Sequence, residues 1–413
     1  MPVAMRPVIR LLFLPRETFP TFRGRIDVLF GRELLKRGHE IDLIMQASGG
    51  EVKVGPTEWV GRTVWVGPTD GRNSVVGRIW RHWLGFRHDF ISLLRRARHD
   101  EYDAVLVSDK IVTAALSILI CKLRGIKFLF WLTFPEPEAQ LLAANQRSAR
   151  YPIISAVVGR VLSCLLYHWV IPRSFHVLVQ SPQMARNLRQ KCRRTPDMTP
   201  VLTGFDPLDF PTEAEFGPPA PNRSQFTIAY LGTLNAERRL DVLIEMLALL
   251  RESGCPARLL LIGDGDRPSD RRRLEDLAAA SGVAGCVVIT GFLPRHEALS
   301  QLRLADVGIS LFYPDAVLEV ASPTKLVEYM AMGLPAIVNT HPEQRAIMRE
   351  SRGGICTPWG ARHFARAVRF LISQGPTARA DIGARGRRWV LDNRQYSHIA
   401  SGIEAKLIDL LLK

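Results

Sequence analysis

The feature that most constrains the fold of this 413-residue chain is a regular alternation of short apolar runs with helix-length segments after residue 225. The apolar runs are FTIAYLG, ARLLLIGDG, CVVITG, VGISLF and PAIVN, and amphipathic segments such as RLDVLIEMLALLRES separate them. Apolar strands that alternate with helices predict βαβ units and a parallel sheet covered on both faces. The first half shows the same pattern less regularly, with VIRLLFLP, EIDLIM, DAVLVSD, KFLFWLT and HVLVQS as predicted strands.

We therefore predict an α/β fold with two Rossmann-like, doubly wound domains that face a central cleft. The N-terminal domain is expected at residues 1–205, a Pro-rich linker at 206–225 and the C-terminal domain at 226–385. Residues 386–413 are expected to form helices that pack back toward the first domain. Ligands of doubly wound folds bind at the carboxyl ends of the strands, so the binding residues should lie there.

The net charge of +15 is distributed unevenly along the chain. Residues 1–200 contain 30 basic and 16 acidic side chains, whereas residues 201–413 contain 25 and 24. This excess favours an anionic partner for the first half. Nucleic acid is not the expected partner, because the basic residues are not interleaved as in an RNA-binding motif.

Other features bear on the compartment. The six cysteines have no metal-ligand spacing, which favours a reducing environment, and the N-terminal apolar run is too short for a secretory signal. The most apolar segment, residues 151–172, approaches the length of a membrane span, but Arg160 and His168 interrupt it. We therefore do not expect it to cross a membrane.

One lysine occupies an unusual position in the stretch ASPTKLVEYMAMGLPAIVN. Ser322 is a suitable N-cap and Pro323 a suitable first helical residue, so Lys325 is expected in the first turn of a helix. A helix start carries partial positive charge, where an acidic residue is usual and an anion is stabilised. Either Lys325 completes a phosphate site, or it pairs with Glu328 on a solvated face.

Two further groups of residues suggest anion binding. Arg238 and Arg239 stand at the start of the helix that follows the strand ending at Gly232, although Glu237 could neutralise them. Glu328 is either a surface residue or a carboxylate that accepts hydrogen bonds from ribose hydroxyls. The sequence LLLIGDGD has G-x-G after a strand but lacks the full dinucleotide pattern, and the chain contains no P-loop, G-x-S-x-G or H-E-x-x-H motif.

Taken in order, the segments YLGTL, RRLDVLIE, LLLIGDGD, VVITGFLPRHE, LADVGISL, SPTKLVEYMAMGLPAIVN and GGICTPWG resemble those of family 4 retaining glycosyltransferases, which have the GT-B fold. The S-P-T-K-L-x-E-Y-M-A-x-G-x-P string is the most specific of them. The resemblance implies transfer of a sugar from a nucleoside diphosphate sugar, with retention of configuration, as in the assembly of bacterial surface polysaccharides. It implies no cofactor or metal, and the chain offers no convincing D-x-D cluster to hold one.

The resemblance also implies roles for individual residues. Arg238 and Lys325 would be catalytic, because fixed cations stabilise the departing diphosphate, and Glu328 would hold the donor ribose. The loop from Gly291 to Pro294 would meet the base. The expected donor-binding residues are Gly24, Gly232, Thr233, Arg238, Arg239, Gly263, Gly265, Leu293, Ser322, Pro323, Thr324, Lys325 and Glu328.

Two departures from the family pattern stand out. The residue eight positions before Glu328 is Val320 rather than glutamate, and TFRGR at residues 21–25 replaces the paired glycines after the first strand. Arg23, Gly24 and Arg25 are the expected substitutes for those glycines. The way in which the first domain grips the donor therefore stays open.

The acceptor is expected to bind the first domain. Asp109, Glu136 and Glu138 follow predicted strands and are candidates to bind acceptor hydroxyls, although they could equally be ordinary loop carboxylates. The apolar helix expected at residues 153–171 and the basic, aromatic segment at 77–96 suit an anionic membrane surface. A lipid-linked glycan acceptor and a peripheral location on the cytoplasmic face of the membrane follow as expectations. The alternative is that 153–171 is a core helix and that the arginines reflect base composition.

Two other functions on the same fold stay open. A nucleotide-sugar epimerase would convert the donor without an acceptor. A donor-binding protein without activity is the other possibility, because Val320 breaks a family motif.

Overall fold

The computed structural model describes residues 7–21, 24–71, 75–146, 151–210 and 225–412. Its contacts divide the chain into two compact units, Met1–Leu202 with Tyr396–Lys413, and Thr203–Gln395. The chain therefore passes between the units after Leu202 and again after Gln395. The second boundary lies at the start of the last helix, later than the position 385 expected from the sequence. Most of the predicted linker, residues 211–224, lies outside the described residues.

The first unit is built on one sheet. Its strands are β1 (Arg10–Leu14), β2 (Thr18–Phe19), β3 (Glu40–Ala47), β4 (Gly55–Trp59), β5 (Arg62–Gly67), β6 (Ala104–Ser108), β7 (Lys127–Leu132), β8 (His176–Val179) and β9 (Met198–Pro200). Within the described residues the order is β4-β5-β3-β1-β6-β7-β8-β9, with β2 beside β3. The pairs are parallel except for the β4–β5 hairpin. This is the doubly wound arrangement predicted from the apolar runs, extended by strands that the sequence pattern did not reveal.

Helices cover this sheet. A π-helical segment, Arg25–Glu33, continues into α1 (Leu34–Lys36), and the chain then forms α2 (Val75–Arg96), α3 (Ile111–Arg124), α4 (Glu136–Asn145), α5 (Pro152–Leu165), α6 (Ile171–Arg173) and α7 (Pro182–Lys191). A π-helical turn, Leu166–Val170, joins α5 to α6. The apolar segment expected at 153–171 is thus helical throughout.

The second unit has a smaller sheet. Its strands are β10 (Phe226–Leu231), β11 (Ala257–Ile262), β12 (Val287–Ile289), β13 (Val307–Ser310), β14 (Ala336–Asn339) and β15 (Gly354–Thr357). They are parallel and follow the order β12-β11-β10-β13-β14-β15 among the described residues. Numbered within the unit this order is 3-2-1-4-5-6, the Rossmann order, so the predicted fold class is confirmed.

The remaining helices are α8 (Asp241–Glu252), α9 (Pro268–Ala280), α10 (Arg295–Leu302), α11 (Thr324–Ala331), α12 (Pro342–Ser351), α13 (Ala361–Ser373), α14 (Gly375–Asn393) and α15 (Tyr396–Leu411). The last of them, α15, belongs to the first unit. Its apolar residues Tyr396, Ala400, Ile403 and Leu407 join the core beneath β1 and the first helical segment. The final helix is therefore an integral part of the first unit.

Candidate functional site

The candidate site lies at the switch point of the second sheet. β10 and β13 are neighbours, and the connections that follow them leave in opposite directions along the strand order. Ligands of doubly wound sheets bind in the crevice at this point. Gly232 follows β10 directly, and the segment after β13 leads to α11, which carries Lys325 and Glu328.

Tyr329 fixes α11 against these two strands. Its hydroxyl accepts a hydrogen bond from the Leu231 N–H (2.8 Å) and donates one to the Ile309 carbonyl (3.3 Å). The ring lies against Gly308, where a Cβ would approach it to 2.4 Å. The first turn of α11 is therefore held at the carboxyl ends of β10 and β13.

The start of α11 differs from the sequence prediction. The helix begins at Thr324, and its N-cap is Pro323, so Lys325 is the second helical residue. The prediction that Ser322 caps the helix is wrong, because its hydroxyl is committed elsewhere. The Ser322 Oγ accepts a hydrogen bond from the Thr203 N–H (3.1 Å) and donates one to Glu343 Oε1 (2.9 Å).

Lys325 lies directly over Gly232. A Cβ at Gly232 would lie 2.7 Å from Lys325 Cε and 3.0 Å from Nζ, and the φ of Gly232 is 131°, so glycine is required here on both counts. The ammonium is also 5.1 Å from the centroid of the Tyr230 ring. Burial, and secondly the positive charge of Arg238, lower the pKa of Lys325 to about 8.

Arg238 and Lys325 are neighbouring cations, and the charge of Glu328 only partly offsets their effect on the pKa of Lys325. Arg238 ends a short 3₁₀ turn, Ala236–Arg238, immediately after the loop that follows β10. Among the described residues neither side chain makes an ion pair, and Lys325 does not pair with Glu328 as the alternative interpretation required. Two adjacent cations at a helix start favour a ligand with more than one negative charge.

Arg239 is placed differently from Arg238. It adopts a left-handed backbone conformation, with φ 53°, and its guanidinium lies 5.1 Å from the centroid of the Tyr313 ring. The two adjacent arginines therefore have different partners. Arg238 rather than Arg239 is the one that interacts electrostatically with Lys325.

Glu328 is bound by an arginine that the sequence analysis missed. Its side chain is 8% exposed, and Oε1 accepts a 2.6 Å hydrogen bond from Arg295 Nη1. Arg295 also bonds Asp209 through Nε (3.3 Å) and lies over the Phe210 ring. These contacts join residues far apart in the sequence, although the position of Arg295 directly after the GFLP loop was a usable signal.

Gly263 brings backbone close to Gly232, and Gly265 packs closely against Asp270. A Cβ at Gly263, whose φ is 140°, would lie 2.2 Å from the Gly232 carbonyl oxygen. A Cβ at Gly265 would lie 2.3 Å from Asp270 Cβ. The loops after β10 and β11 therefore approach each other closely, and the predicted residues Gly232, Gly263 and Gly265 lie together.

The other donor candidates surround this point. Thr233 and Thr324 are exposed, Pro323 is buried, and Leu293 packs partly against the core in the loop before α10. In that loop Gly291 bridges to Gly263, and Phe292 is 85% exposed. Phe292 was not selected from the sequence, although its place in the loop expected to meet the base is a usable signal.

A buried ionic group supports the loop before α11. Arg394 Nη2 lies 3.0 Å from Glu343 Oε1, the oxygen that also accepts the Ser322 hydroxyl. Arg394 and Glu343 are each less than 10% exposed. Burial raises the pKa of Glu343, and Arg394 and Ser322 oppose that shift. The segment before Lys325 is thus connected by hydrogen bonds and an ion pair to Thr203 and Arg394. These two residues lie beside the positions at which the chain passes from one unit to the other.

The three acceptor candidates of the first unit each have partners within that unit. Asp109 has a φ of 57° and accepts hydrogen bonds from the Thr133 N–H (2.6 Å) and hydroxyl. Burial raises its pKa. Glu136 pairs with Arg16 (3.0 Å). Asp109 directly follows β6 and Glu136 lies shortly after β7, so both residues lie where strands of this sheet end.

Glu138 and Gly24 have packing roles that the sequence did not indicate. Glu138 accepts a hydrogen bond from the Tyr167 hydroxyl and pairs with Lys191, which ties α4 to the helices packed against it. A Cβ at Gly24 would lie 2.8 Å from the Tyr396 ring, so close packing accounts for this glycine. Of its predicted neighbours, Arg25 pairs with Glu17 (2.7 Å), and Arg23 lies outside the described residues.

Within the part of the chain that the structure describes, no group of three or more His, Cys, Asp or Glu side chains is arranged to hold a metal ion.

Comparison with known proteins adds to this geometry. Residues 225–374, which contain the switch point and α11, match the family model described as "Glycosyl transferases group 1". The matched segment, about a third of the chain, is therefore similar to this family. The amylovoran biosynthesis glycosyltransferase AmsK of Erwinia amylovora is 29% identical over 150 residues, 36% of each chain. This chain therefore matches about a third of the length of that relative.

Solved structures extend the likeness to the whole chain. Sucrose-phosphate synthase from Thermosynechococcus elongatus superposes with a TM-score of 0.73 over 98% of this chain and 99% of the other, at 15% identity. Anabaena Alr3699/HepE in complex with UDP-glucose gives a TM-score of 0.67 at 14% identity, over 97% and 100%. At such identities the likeness concerns the fold, which is GT-B as the sequence resemblance implied.

Proposed function

We propose that this protein is a retaining glycosyltransferase that moves a sugar from a nucleoside diphosphate sugar to a lipid-linked glycan during polysaccharide assembly. The observation that carries the proposal is the pair of neighbouring cations Lys325 and Arg238 at the switch point of the second sheet, neither of which makes an ion pair among the described residues. The match of residues 225–374 to the group 1 family model supports sugar transfer as the reaction.

The chemistry of the leaving group explains the cations. When the bond between the sugar and the diphosphate breaks, negative charge develops on the phosphate oxygens. Lys325, Arg238 and the N–H groups of the first turn of α11 stabilise that charge more than they stabilise the intact donor. Because the cations are fixed before the donor binds, little reorganisation is needed during the reaction.

Glu328 provides the contact to the nucleoside. It stands one turn after Lys325 on α11, and Arg295 keeps its carboxylate oriented through a 2.6 Å hydrogen bond. A carboxylate in this position accepts hydrogen bonds from the two ribose hydroxyls. The nearby loop that contains Phe292 offers an exposed aromatic side chain to the base.

The acceptor belongs to the finer part of the proposal. The first unit holds the basic excess of the chain and a largely exposed apolar helix, α5. A lipid-linked acceptor presented at the cytoplasmic face of a membrane suits both properties. AmsK, whose name assigns it to amylovoran biosynthesis, supports a role in polysaccharide assembly.

A two-stage experiment tests the proposal. A thermal-shift screen of nucleoside diphosphate sugars should identify a donor, because a ligand that binds only the folded state raises the unfolding temperature. The stabilising donor, labelled in its sugar, is then incubated with the protein and bacterial membrane fractions. We expect label to enter the lipid extract. Stabilisation without transfer would indicate a donor-binding protein, and conversion of the donor sugar without acceptor would indicate an epimerase.

A further inference from the structure

Three helices of the first unit form one layer on the same face of its sheet. α2, α3 and α5 lie in successive connections from β5 to β6, β7 and β8, and these strands step across the sheet in one direction. Right-handed crossovers that step in one direction lie on the same face. α2 packs against α3, and α3 packs against α5.

The outer side of α5 is apolar and exposed. Ile153, Val157 and Val161, spaced four residues apart, are 81%, 52% and 60% exposed, and Ile154 and Val158 widen the stripe. A helix that covers a sheet in a soluble domain normally turns a polar side to solvent. On α5 the side that is normally polar consists largely of β-branched apolar residues.

The neighbouring helices continue this surface. On α3, Val112, Leu119 and Leu123 share one side and are exposed, Leu123 to 87%. On α2, Trp80 and Trp83 stack on each other with ring centroids 4.7 Å apart, and both are nearly half exposed. We call these exposed residues of α2, α3 and α5 the three-helix face. Exposed apolar patches of this extent normally mark a binding surface.

A groove joins two of the helices at one end of this face. It encloses about 470 Å³ between the last turns of α3, including Leu119 and Lys122, and the residues Trp169, Arg173 and Phe175 that follow α5. The guanidinium of Arg173 lies 4.0 Å from the centroid of the Trp169 ring. Aromatic and basic side chains thus lie together beside the apolar stripe.

The helical segment Pro152–Arg173 has the length and composition of a membrane span, with a mean hydropathy of 1.6 over its most apolar 18 residues. Only 22% of that window is buried. Its last turns, however, are fixed in the first unit, because Leu166, Val170 and Ile171 are fully buried and the chain continues into β8. The segment therefore lies along the surface of the folded unit.

The charged residues of these helices are almost all basic. The sequences of α2, α3 and the segment 152–173 contain nine Lys and Arg residues and one acidic residue, Asp89. Asp89 is buried and pairs with Lys110. Lys122 and Arg160 are exposed, and within the described residues neither makes an ion pair. The face therefore presents apolar and cationic groups without acidic ones.

We infer that the three-helix face docks this protein onto an anionic phospholipid bilayer, with the exposed side chains of α3 and α5 inserted at the level of the headgroups. Apolar stripes flanked by Lys and Arg bind such interfaces, and Trp is enriched there. A second copy of this chain fits less well, because two faces of the same positive charge would repel each other.

Vesicle co-sedimentation of the full-length protein tests the inference. The protein should sediment with vesicles of phosphatidylglycerol and phosphatidylethanolamine, and much less with vesicles of phosphatidylcholine. Binding to the anionic vesicles should weaken when NaCl is raised to about 0.5 M, because surface charges are then screened. Equal binding to both vesicles, or binding to neither, would overturn the inference.

A matched pair of variants locates the surface. Ile153→Ser combined with Val157→Ser should reduce partitioning by about tenfold or more, because two exposed side chains no longer bury apolar area in the bilayer. The control Leu208→Ser changes an equally exposed residue, 82%, of the second unit, and should partition as the wild type does. Equal thermal unfolding of the three proteins would show that they fold alike.

Failure of this inference can be told apart from failure of the proposed function. The Ile153→Ser/Val157→Ser variant should keep the donor affinity of the wild type in calorimetry, whereas Lys325→Ala should keep vesicle binding. Unaltered partitioning of the double variant would refute docking through this face. A wild type that self-associates in sedimentation analysis but does not bind vesicles, together with a double variant that no longer self-associates, would show that the face is a dimer interface. That result would also refute the inference.

Discussion

At the residue scale, Lys325 is the most informative side chain. A partly buried ammonium next to another cation is destabilised, and its pKa falls to about 8 as a consequence. The charge of Glu328 opposes this fall in the pKa, but Glu328 is bound by Arg295 and does not form an ion pair with Lys325. Perturbed ionisable groups without a structural partner cluster at functional sites, so this lysine is best explained by an anionic ligand.

This pKa predicts a pH dependence of donor binding. Below about pH 8 Lys325 is charged in the free protein, so a diphosphate binds without proton uptake. Above that value the free lysine loses its proton, whereas the bound anion favours the charged form. Binding should then take up a proton, and the Kd should rise as the pH increases. Calorimetric titrations at pH 7 and pH 9, in buffers of different ionisation enthalpy, measure both effects.

Lys325→Arg provides the control for this prediction. Guanidinium stays protonated over the whole range, so any binding that this variant retains should vary little between pH 7 and pH 9. A wild-type affinity that does not change between these values would show that Lys325 does not contact the donor.

Gly232 allows a second prediction at this scale. Gly232→Ala places a methyl group 2.7 Å from Lys325 Cε and strains a backbone whose φ is 131°. Donor affinity should fall by about tenfold or more, because the ammonium is displaced from the phosphates. Gly254→Ala is the matched control, since Gly254 also has a positive φ, 72°, but open space at its Cβ position.

Both glycine variants should lose stability by about 1–3 kcal/mol from backbone strain. Chemical denaturation measures that loss, and calorimetry measures the donor affinity. Equal donor affinity in the two variants would mean that the close approach of Gly232 to Lys325 has no role in binding.

At the scale of elements, α11 shows what the sequence can and cannot predict. Its existence, its position after β13 and the location of Lys325 in its first turn follow from local sequence, as do the apolar strands. Its cap does not, because Ser322 bonds Thr203 and Glu343, which are distant in the chain. The same holds for Arg295 on Glu328. Contacts of this kind depend on tertiary packing, which overrides local preference.

Glu328 carries a prediction about nucleoside recognition. If its carboxylate binds the ribose hydroxyls, the wild type should bind a ribonucleoside diphosphate more tightly than its 2′-deoxy analogue. Glu328→Gln keeps the shape but loses the charge-assisted hydrogen bonds, so this preference should shrink by about tenfold. Competition binding with the two nucleotides measures it. An unchanged preference in the variant would assign ribose recognition to other residues.

The ionic group beneath the loop before α11 predicts a large effect on stability. Arg394→Ala leaves the buried carboxylate of Glu343 without its cation, which should lower the free energy of unfolding by about 3–5 kcal/mol. Arg394→Met combined with Glu343→Gln removes both charges and should cost less than the single change. Denaturant titrations of the three proteins decide this. A double variant less stable than Arg394→Ala would contradict the account.

At the scale of the whole molecule, the uneven charge of the sequence corresponds to two different surfaces. Part of the basic excess of the first 200 residues lies on α2, α3 and the segment 152–173, whose charged residues are almost all basic. The second unit has nearly equal numbers of basic and acidic residues, but two of its cations, Lys325 and Arg238, lie together at the switch point of its sheet. The distribution of charged residues along the sequence predicted this difference in charge between the two halves. It did not distinguish a core helix at residues 153–171 from a surface one, because an apolar pattern does not specify which side is covered. The exposure of Ile153 and Val161 makes that distinction.

The central claim is that Lys325 and Arg238 bind the diphosphate of the donor. Its most direct test is calorimetric titration, with the donor found by thermal shift, of Lys325→Ala/Arg238→Ala and of the control Arg366→Ala, which removes an exposed cation from α13. We predict that the double variant loses affinity by about 100-fold or more, through the loss of two charge-assisted interactions, and that the control binds as the wild type does. A double variant that binds the donor with wild-type affinity would contradict the account.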